Sequence, residues 1–350
     1  MKKKALILWC AMVIHVFVCS SVHAAEVTNR ASTSSRSSAA DLVLEADKNI
    51  AIANKNTLLS FQNKNYADCV QWAQRYFKEG GADIQIRRIL SQCYFNISDY
   101  VNAAREIQAE MLFADRNGKV LDEDRLNLLL KSYVALNDPN AQSWVLEKLL
   151  VTYSKKIYWS SLLTITQRRP DFRKNLSLDV QRLKFATSTL LDPLDYFEMA
   201  QNALNLGFAT EARSVLDQGI SSKVLIQSLD SSIYLQLRSE IKRKIEEERR
   251  EIAKFELEVP STSNAISMMN IGMSLVQASE FEKGLSLMER AVSVVGSRDR
   301  PQDARLHLAI AYFKAGKKSK ALETLALVSG VHGAADLARL WAIHVKNESP

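Results

Sequence analysis

Ser91-Gln92-Cys93-Tyr94-Phe95-Asn96-Ile97-Ser98-Asp99-Tyr100-Val101-Asn102-Ala103 is the stretch that decides how this chain folds. Three positions carry the reading: Ser91, Tyr94 three residues on, and Ala103 nine residues after that. Residues three apart are neighbours on a helix surface, so Ser91 and Tyr94 share one face. Ser98 and Asp99 are turn formers. Ala103 then falls on a second, antiparallel helix, where a small side chain lets the two backbones approach closely. Ile107, one helical turn beyond Ala103, faces the next pair of helices.

The spacing recurs along the chain as Ala200, Ala203, Ala212, then Gly272, Leu275, Gly284, then Ala309, Tyr312, Ala321. Thr57, Ser60, Cys69 and Leu130, Tyr133, Gln142 fit it more loosely. Turn residues fall in the gap each time, as in Leu206-Gly207-Phe208 and Ala315-Gly316-Lys317, and Leu216 and Leu325 repeat the part of Ile107. The closing residues Cys69, Ala103, Gln142, Ala212, Gly284 and Ala321 are separated by 34, 39, 70, 72 and 37 positions. The gap of 70 leaves room for a degenerate unit over Lys156 to Leu190, with Tyr158, Trp159 and Leu163 on its first helix. The gap of 72 holds a run without Gly or Pro from Ser221 to Val259. It predicts one long helix near 223–258, spanning about 45 Å if thirty residues are helical and ended by Pro260-Ser261-Thr262-Ser263.

This pattern resembles the tetratricopeptide repeat (TPR) family, whose unit is about 34 residues long, over roughly residues 55 to 330. The resemblance implies an all-α fold, a right-handed α-solenoid of six to seven helix-turn-helix (TPR-like) repeats, in one domain over 41–346. It also implies a concave surface that takes extended peptides or partner helices. Ala334-Ala335-Asp336-Leu337-Ala338-Arg339-Leu340-Trp341 is similar to the end helix of secreted proteobacterial TPR proteins without assigned activity. Such a helix would cap the apolar face that the last hairpin exposes.

The N-terminal residues address the compartment. Lys2, Lys3 and Lys4 precede an apolar run from Ala5 to about Ser21, and Val22-His23-Ala24 supplies a signal-peptidase site. The run is short for a bilayer span and is interrupted by His15. Residues 1–24 therefore read as a signal peptide cleaved after Ala24, 25–40 as a flexible Ser-rich linker, and the mature chain as soluble and periplasmic. Cleavage would leave 43 basic residues against 39 acidic ones. That modest excess, with export, argues against nucleic acid. Of four cysteines only Cys69 and Cys93 would remain, close together on adjacent hairpins and open to either a disulfide or plain packing.

Little in the sequence suggests chemistry. His307, His332 and His344 have no ligand-spaced partner, and His307, between Leu306 and Leu308, reads as packing. Gly80-Gly81 and Asn117-Gly118 read as a helix end and a turn, outside any phosphate-cradling context. No catalytic, cofactor-binding or metal residues are assigned, and no cofactor is expected. The charged run from Glu240 to Glu251 reads as a solvated helix with Glu240–Lys244 and Glu246–Arg250 pairs, or as a docking helix through Leu237, Ile241, Ile245 and Ile252 that would allow a homodimer. The basic clusters Arg168, Arg169, Arg173, Lys174 and Lys314, Lys317, Lys318, Lys320 read as solvated loops.

The functional expectation is a non-enzymatic periplasmic protein-interaction scaffold or adaptor, accessory to an envelope assembly or transport machine. The alternative is a cell-wall (peptidoglycan) enzyme, or its regulator, built on a helical superhelix. On the C-terminal repeats the inward face carries Met269, Met273, Val276, Leu306, Ile310 and Phe313, with Lys314 at its edge. Met269, Met273, Leu306, Ile310, Phe313 and Lys314 are thus the candidate contacts for a protein or peptide partner. Arg88, Gln92, Phe95 and Asn96 form a more polar equivalent in the second repeat. The C-terminal face is either an adaptable groove or, as the aggregation cost of an exposed apolar patch favours, core covered by the long or the terminal helix. The leader assignment predicts that N-terminal sequencing of the periplasmic protein begins at Ala25; Met1 retained on membrane-bound protein would refute it.

Overall fold

The computed structural model describes residues 39–257, 264–295, 301–331 and 333–348. The expected leader, nearly all of the linker, Pro260-Ser261-Thr262-Ser263 and His332 lie outside the described residues. The chain divides after Lys48 into two units, and the first contributes to the described residues only the start of one helix. The described residues contain no strand. Helices α1 (Ala39–Gln62) and α2 (Tyr66–Lys78) are followed by α3 (Ile84–Asn96), α4 (Tyr100–Arg116), α5 (Glu123–Ala135), α6 (Pro139–Tyr153), α7 (Lys156–Arg168) and α8 (Ser177–Ala186). Then come α9 (Pro193–Asn205), α10 (Ala209–Ser221), α11 (Ser232–Leu257), α12 (Ala265–Gln277), α13 (Phe281–Val295), α14 (Pro301–Lys314), α15 (Lys318–Ala326) and α16 (Ala334–Asn347). Consecutive helices pack as hairpins, α3 on α4, α5 on α6, α9 on α10, α12 on α13 and α14 on α15, each stacked on the next. This is an all-α solenoid of helical hairpins.

The spacing read from the sequence has a backbone cause. Between the helices of six hairpins one residue adopts a left-handed conformation: Lys64, Ser98, Asn137, Gly207, Ser279 and Gly316. The next residue then donates its N–H to a carbonyl five positions back: Asp99 to Tyr94, Phe208 to Ala203, Glu280 to Leu275 and Lys317 to Tyr312. This is the bond that closes a Schellman turn. The acceptors are the middle residues of the spacing. Ala103, Ala212, Gly284 and Ala321 bond back in turn to Asp99, Phe208, Glu280 and Lys317 and so open the second helix. The unit from Lys156 to Leu190 is a hairpin, α7 with α8, but it lacks this turn. Pro170 and a short 3₁₀ segment, Lys174–Leu176, replace it, which is why its spacing is degenerate.

Small closing residues matter where backbones touch. A side chain on Gly272 would meet the Gly284 carbonyl oxygen at 2.8 Å, and one on Gly284 would meet the Gly272 oxygen at 2.6 Å. Cys69, the closing residue on α2, and Cys93, between Ser91 and Tyr94 on α3, are both buried and are joined by a disulfide with Cα atoms 6.4 Å apart across a sequence separation of 24. Closing a loop of that length stabilises by about 3 kcal/mol in the chain-entropy account.

The long helix differs from expectation in its start. α11 begins at Ser232, after a 3₁₀ turn at Ile226–Ser228, so it spans about 39 Å. Its apolar stripe is used within the chain: Leu237, Ile241 and Ile245 are buried against α9 and α10. The ion pairs also differ. Arg243 and Lys244 both pair with Glu247, and Arg249 with Glu246, in place of Glu240–Lys244 and Glu246–Arg250. Glu248 points inward, where one carboxylate oxygen accepts from the Thr210 amide at 2.9 Å and its hydroxyl at 2.8 Å. It thereby caps α10, whose own N-cap residue Phe208 offers no side-chain acceptor.

The stack does not stay open. Leu306, Ile310, Leu337, Leu340, Trp341 and Val345 share one buried core with Leu129, Leu149, Trp159, Leu163 and Leu183. α16 covers the last hairpin, as a cap should, and also packs on α6 and α8. The C-terminal helices thus return to the middle of the solenoid. At Gly316 a Cβ atom would meet nothing within 4 Å, so a substitution there tests the turn alone. Gly316→Ala should cost about 1–2 kcal/mol in urea denaturation, and an unchanged midpoint would remove the turn from the account.

Candidate functional site

The six expected contact residues divide sharply. Met269 and Met273 are buried in a core with α9, α10 and α11, whereas Leu306 and Ile310 are buried in the core shared with α5 to α8. Phe313 is half-buried and touches both cores, and Lys314 is exposed. The terminal helix covers the α14 part of this face, and α9 to α11 take up the α12 part. Phe313 and Lys314 instead line a cavity of about 160 Å³ with Arg182, Phe185, Met199, Glu211, Val215, Gln277 and Trp341.

A buried ionic chain forms the floor of this region. The Arg182 guanidinium is 4% exposed and donates to both oxygens of Glu211, at 2.9 and 2.7 Å, and to Asp179 at 2.9 Å. The His307 Nε2 lies 3.0 Å from the other Asp179 oxygen, linking α14 to α8. His307 is therefore a paired, half-buried residue and not the packing residue its neighbours suggested. Burial alone would raise the Asp179 and Glu211 pKa values, but His307 and Arg182 beside the first and Arg182 beside the second hold both below the usual carboxylate range. Burial works against the Arg182 charge, yet its two carboxylates raise its pKa overall. A cation with two hydrogen-bonded carboxylates is a structural arrangement that tolerates a dry interior, whereas one missing partner would be costly.

Lys314 donates to the Gln277 side-chain oxygen at 2.7 Å. Its surroundings keep water from the ammonium and lower its pKa, although the side chain as a whole is exposed. Gln277 and Trp341 each keep one buried N–H without a partner among the described residues. Sequence reading missed Arg182, Glu211, Gln277 and Trp341 as neighbours, because they come from four different helices. The available hint was charge on an apolar face: Arg182 sits between Val180 and Leu183, and Glu211 beside the closing residue Ala212.

The seam where α14 and α16 meet the middle hairpins is clasped at its rim. Arg169 reaches Asp336 at 2.8 Å, Arg173 reaches Asp303 at 3.0 Å, Arg339 reaches Glu147 at 2.9 Å, and Asn347 donates to the Leu150 carbonyl at 2.8 Å. Of the cluster around Pro170, Arg169 and Arg173 thus belong to a clasp, whereas Arg168 and Lys174 are exposed as expected of a solvated loop. The second basic cluster is also engaged, through Lys317 with Glu282 and Lys320 over the Tyr312 ring. Among the described residues no group of three or more His, Cys, Asp or Glu could hold a metal ion, and no helix is long and apolar enough to cross a membrane.

His344 gives the seam a pH signature. Its ring centroid lies 6.2 Å from Trp159, 5.3 Å from Phe313 and 5.7 Å from Trp341. Burial pushes its pKa below the ordinary 6.5, and Glu348 opposes this only in part. With the folded value below the unfolded one, the unfolded chain takes up the proton first, so stability falls as pH drops through 6.5 toward the folded value. Lowering the pH from about 7.5 to about 5.5 should reduce the urea midpoint, and His344→Gln should flatten that dependence. Identical pH slopes for the two proteins would refute the assignment.

No protein-family model matches this chain, and no curated protein matches it. Among solved structures, the TPR2AB-domain:pHSP90 complex of yeast Sti1 is similar over 87% of this chain and 98% of that chain, at 13% identity and a TM-score of 0.26. The TPR-like character of this protein therefore rests on its own spacing, turns and stacked hairpins.

Proposed function

We propose that this protein is a non-enzymatic, TPR-type interaction scaffold of the periplasm, exported by its leader and accessory to an envelope assembly or transport machine. The observation that carries the scaffold reading is the uneven use of the stack. On α12 and α14 the chain buries its own inward residues, including four of the six expected contacts. In the second hairpin Arg88, Gln92 and Phe95 stay half-exposed and Asn96 exposed. Arg88 is held in place by Glu110 at 2.6 Å and Asp122 at 3.0 Å, so its position does not have to be organised when a partner arrives. A half-buried aromatic among amides and a fixed guanidinium has the composition of an interface centre. In this reading Phe313 and Lys314 are a secondary contact at the rim of the seam.

The Cys69–Cys93 disulfide supports the compartment, because structural disulfides persist in the bacterial periplasm and are rare in cytosol. A photo-crosslinking residue placed at Gln92 in living cells should give a discrete protein adduct, and one placed at Lys346 on α16 should give none. Adduct formation should fall about tenfold with Phe95→Glu, whose effect at an interface anchor is large. A Gln92 adduct pattern unaltered by Phe95→Glu would count against this face.

A further inference from the structure

Leu112 and Phe113 stand side by side on α4, each 58% exposed. Single apolar side chains on a surface need no explanation, but these two belong to a cavity. With the half-buried Phe77 and the small Ala82 and Ala109 they line a space of about 450 Å³ where the α2–α3 junction meets α4. That volume lies in the range of small-molecule sites. Ala109, Leu112, Phe113 and Arg116 follow at helical spacing, so α4 turns one stripe toward the opening. The facing wall is set in advance. The Tyr76 hydroxyl accepts from the Asp83 amide at 2.9 Å, and its ring lies so close to Gly81 that a Cβ atom there would meet it at 2.3 Å.

Charge narrows the chemistry. Of the residues that line the cavity only Arg87 and Arg116 are charged, and both are cations. Arg87 is already committed: its guanidinium lies 4.8 Å from the centroid of the Phe77 ring and pairs with Glu106. Arg116 is exposed in the last turn of α4 and has no hydrogen-bonding or ionic partner among the described residues. The acids near these residues in sequence do not line the cavity. Asp83 caps α3 through the Gln85 amide, Glu106 holds Arg87, and Asp115 precedes Arg116 outside the lining. The side chains on offer are thus apolar except at the rim, where the uncommitted charge is positive. A cationic ligand would meet Arg116 with no lining acid to offset it, and a wholly polar one would find no partners along Phe77, Leu112 and Phe113.

We propose that this cavity binds a small amphiphile with one alkyl chain and one carboxylate, the chain between Phe77, Leu112 and Phe113 and the carboxylate on Arg116. It shares no lining residue with the α3 face of Arg88, Gln92, Phe95 and Asn96, so Phe95→Glu should leave it unchanged. The probe is octanoate, measured by equilibrium dialysis against the purified protein beside octan-1-ol and octylammonium. Octanoate should bind about threefold more tightly than octanol, since an exposed charge pair contributes modestly, and octylammonium should bind most weakly. Arg116→Gln should bring octanoate down to the level of octanol and leave octanol itself unchanged. Ala82 is exposed, so Ala82→Trp should fill the cavity with an unaltered melting curve and weaken both ligands at least about tenfold, because the chain loses its apolar contact. If that variant does not fold, Phe113→Ser, at another exposed position, should weaken octanoate about fivefold. No octanoate retained at millimolar concentration, equal affinity for octanoate and octylammonium, or binding unaltered by Ala82→Trp and Phe113→Ser would overturn the proposal. So would capture by vesicles of anionic phospholipid that octanoate does not compete, which would make Leu112 and Phe113 a membrane contact.

Discussion

A stack of helical hairpins always ends in an apolar face that has no next hairpin to meet, and the arrangement of this protein follows from how that face is covered. α16 lies over the last hairpin and reaches α6 and α8 as well. One helix thus covers an end and fills an interior. The magnitudes show what holds it there. Leu337, Leu340, Trp341 and Val345 are at most 2% exposed, and burying each such side chain contributes about 1.5–3 kcal/mol before the entropy of ordering is counted. The rim pairs of Arg169 and Arg339 are partly exposed, and pairs of that kind contribute about 0–1 kcal/mol each. Apolar burial holds the seam closed, and the pairs fix the register in which it closes.

The interior charges do a different job. Arg182 is buried, so its two carboxylates must be present together, and they come from its own helix and from α10. His307 adds a third element, α14, to the same group. Replacing such a cluster with well-packed apolar residues is often neutral or stabilising, so its presence argues for specificity of packing more than for strength. Through Arg182, Glu211, Asp179 and His307 the cluster ties α8, α10 and α14 to one another.

The hairpins were legible in the sequence because their signal is local. The left-handed residue, the five-back hydrogen bond and the small closing residue all fall within thirteen positions, as in Ser91 to Ala103. Even the degenerate unit at Lys156 was placed by spacing alone. The return of α16 was not legible, because nothing near Arg169 in the sequence announces Asp336. The α11 ion pairs were misread for a related reason. The i,i+4 rule ranks Glu240 with Lys244, but Arg243 and Lys244 both reach Glu247 and compete for it. Glu248 was hidden inside the same run, since burial and not charge separates it from its neighbours. The six C-terminal contacts were chosen for facing inward, and the chain covers that side itself, with α16 over Leu306 and Ile310 and with α9 to α11 over Met269 and Met273.

The closed seam also has a meaning in time. Contacts such as Arg339 with Glu147 join residues 192 positions apart, and pairings this distant form late because the intervening chain must first be brought round. The early hairpins, with their disulfide, can assemble from neighbours as soon as they are available. α6, α7 and α8 cannot finish, because the surface that completes them arrives with the last residues of the chain. A molecule delivered end-first through a narrow channel would hold Leu149, Trp159 and Leu163 uncovered until its tail emerged. That interval is where a holding chaperone would act, and where a truncated chain would betray itself to proteases.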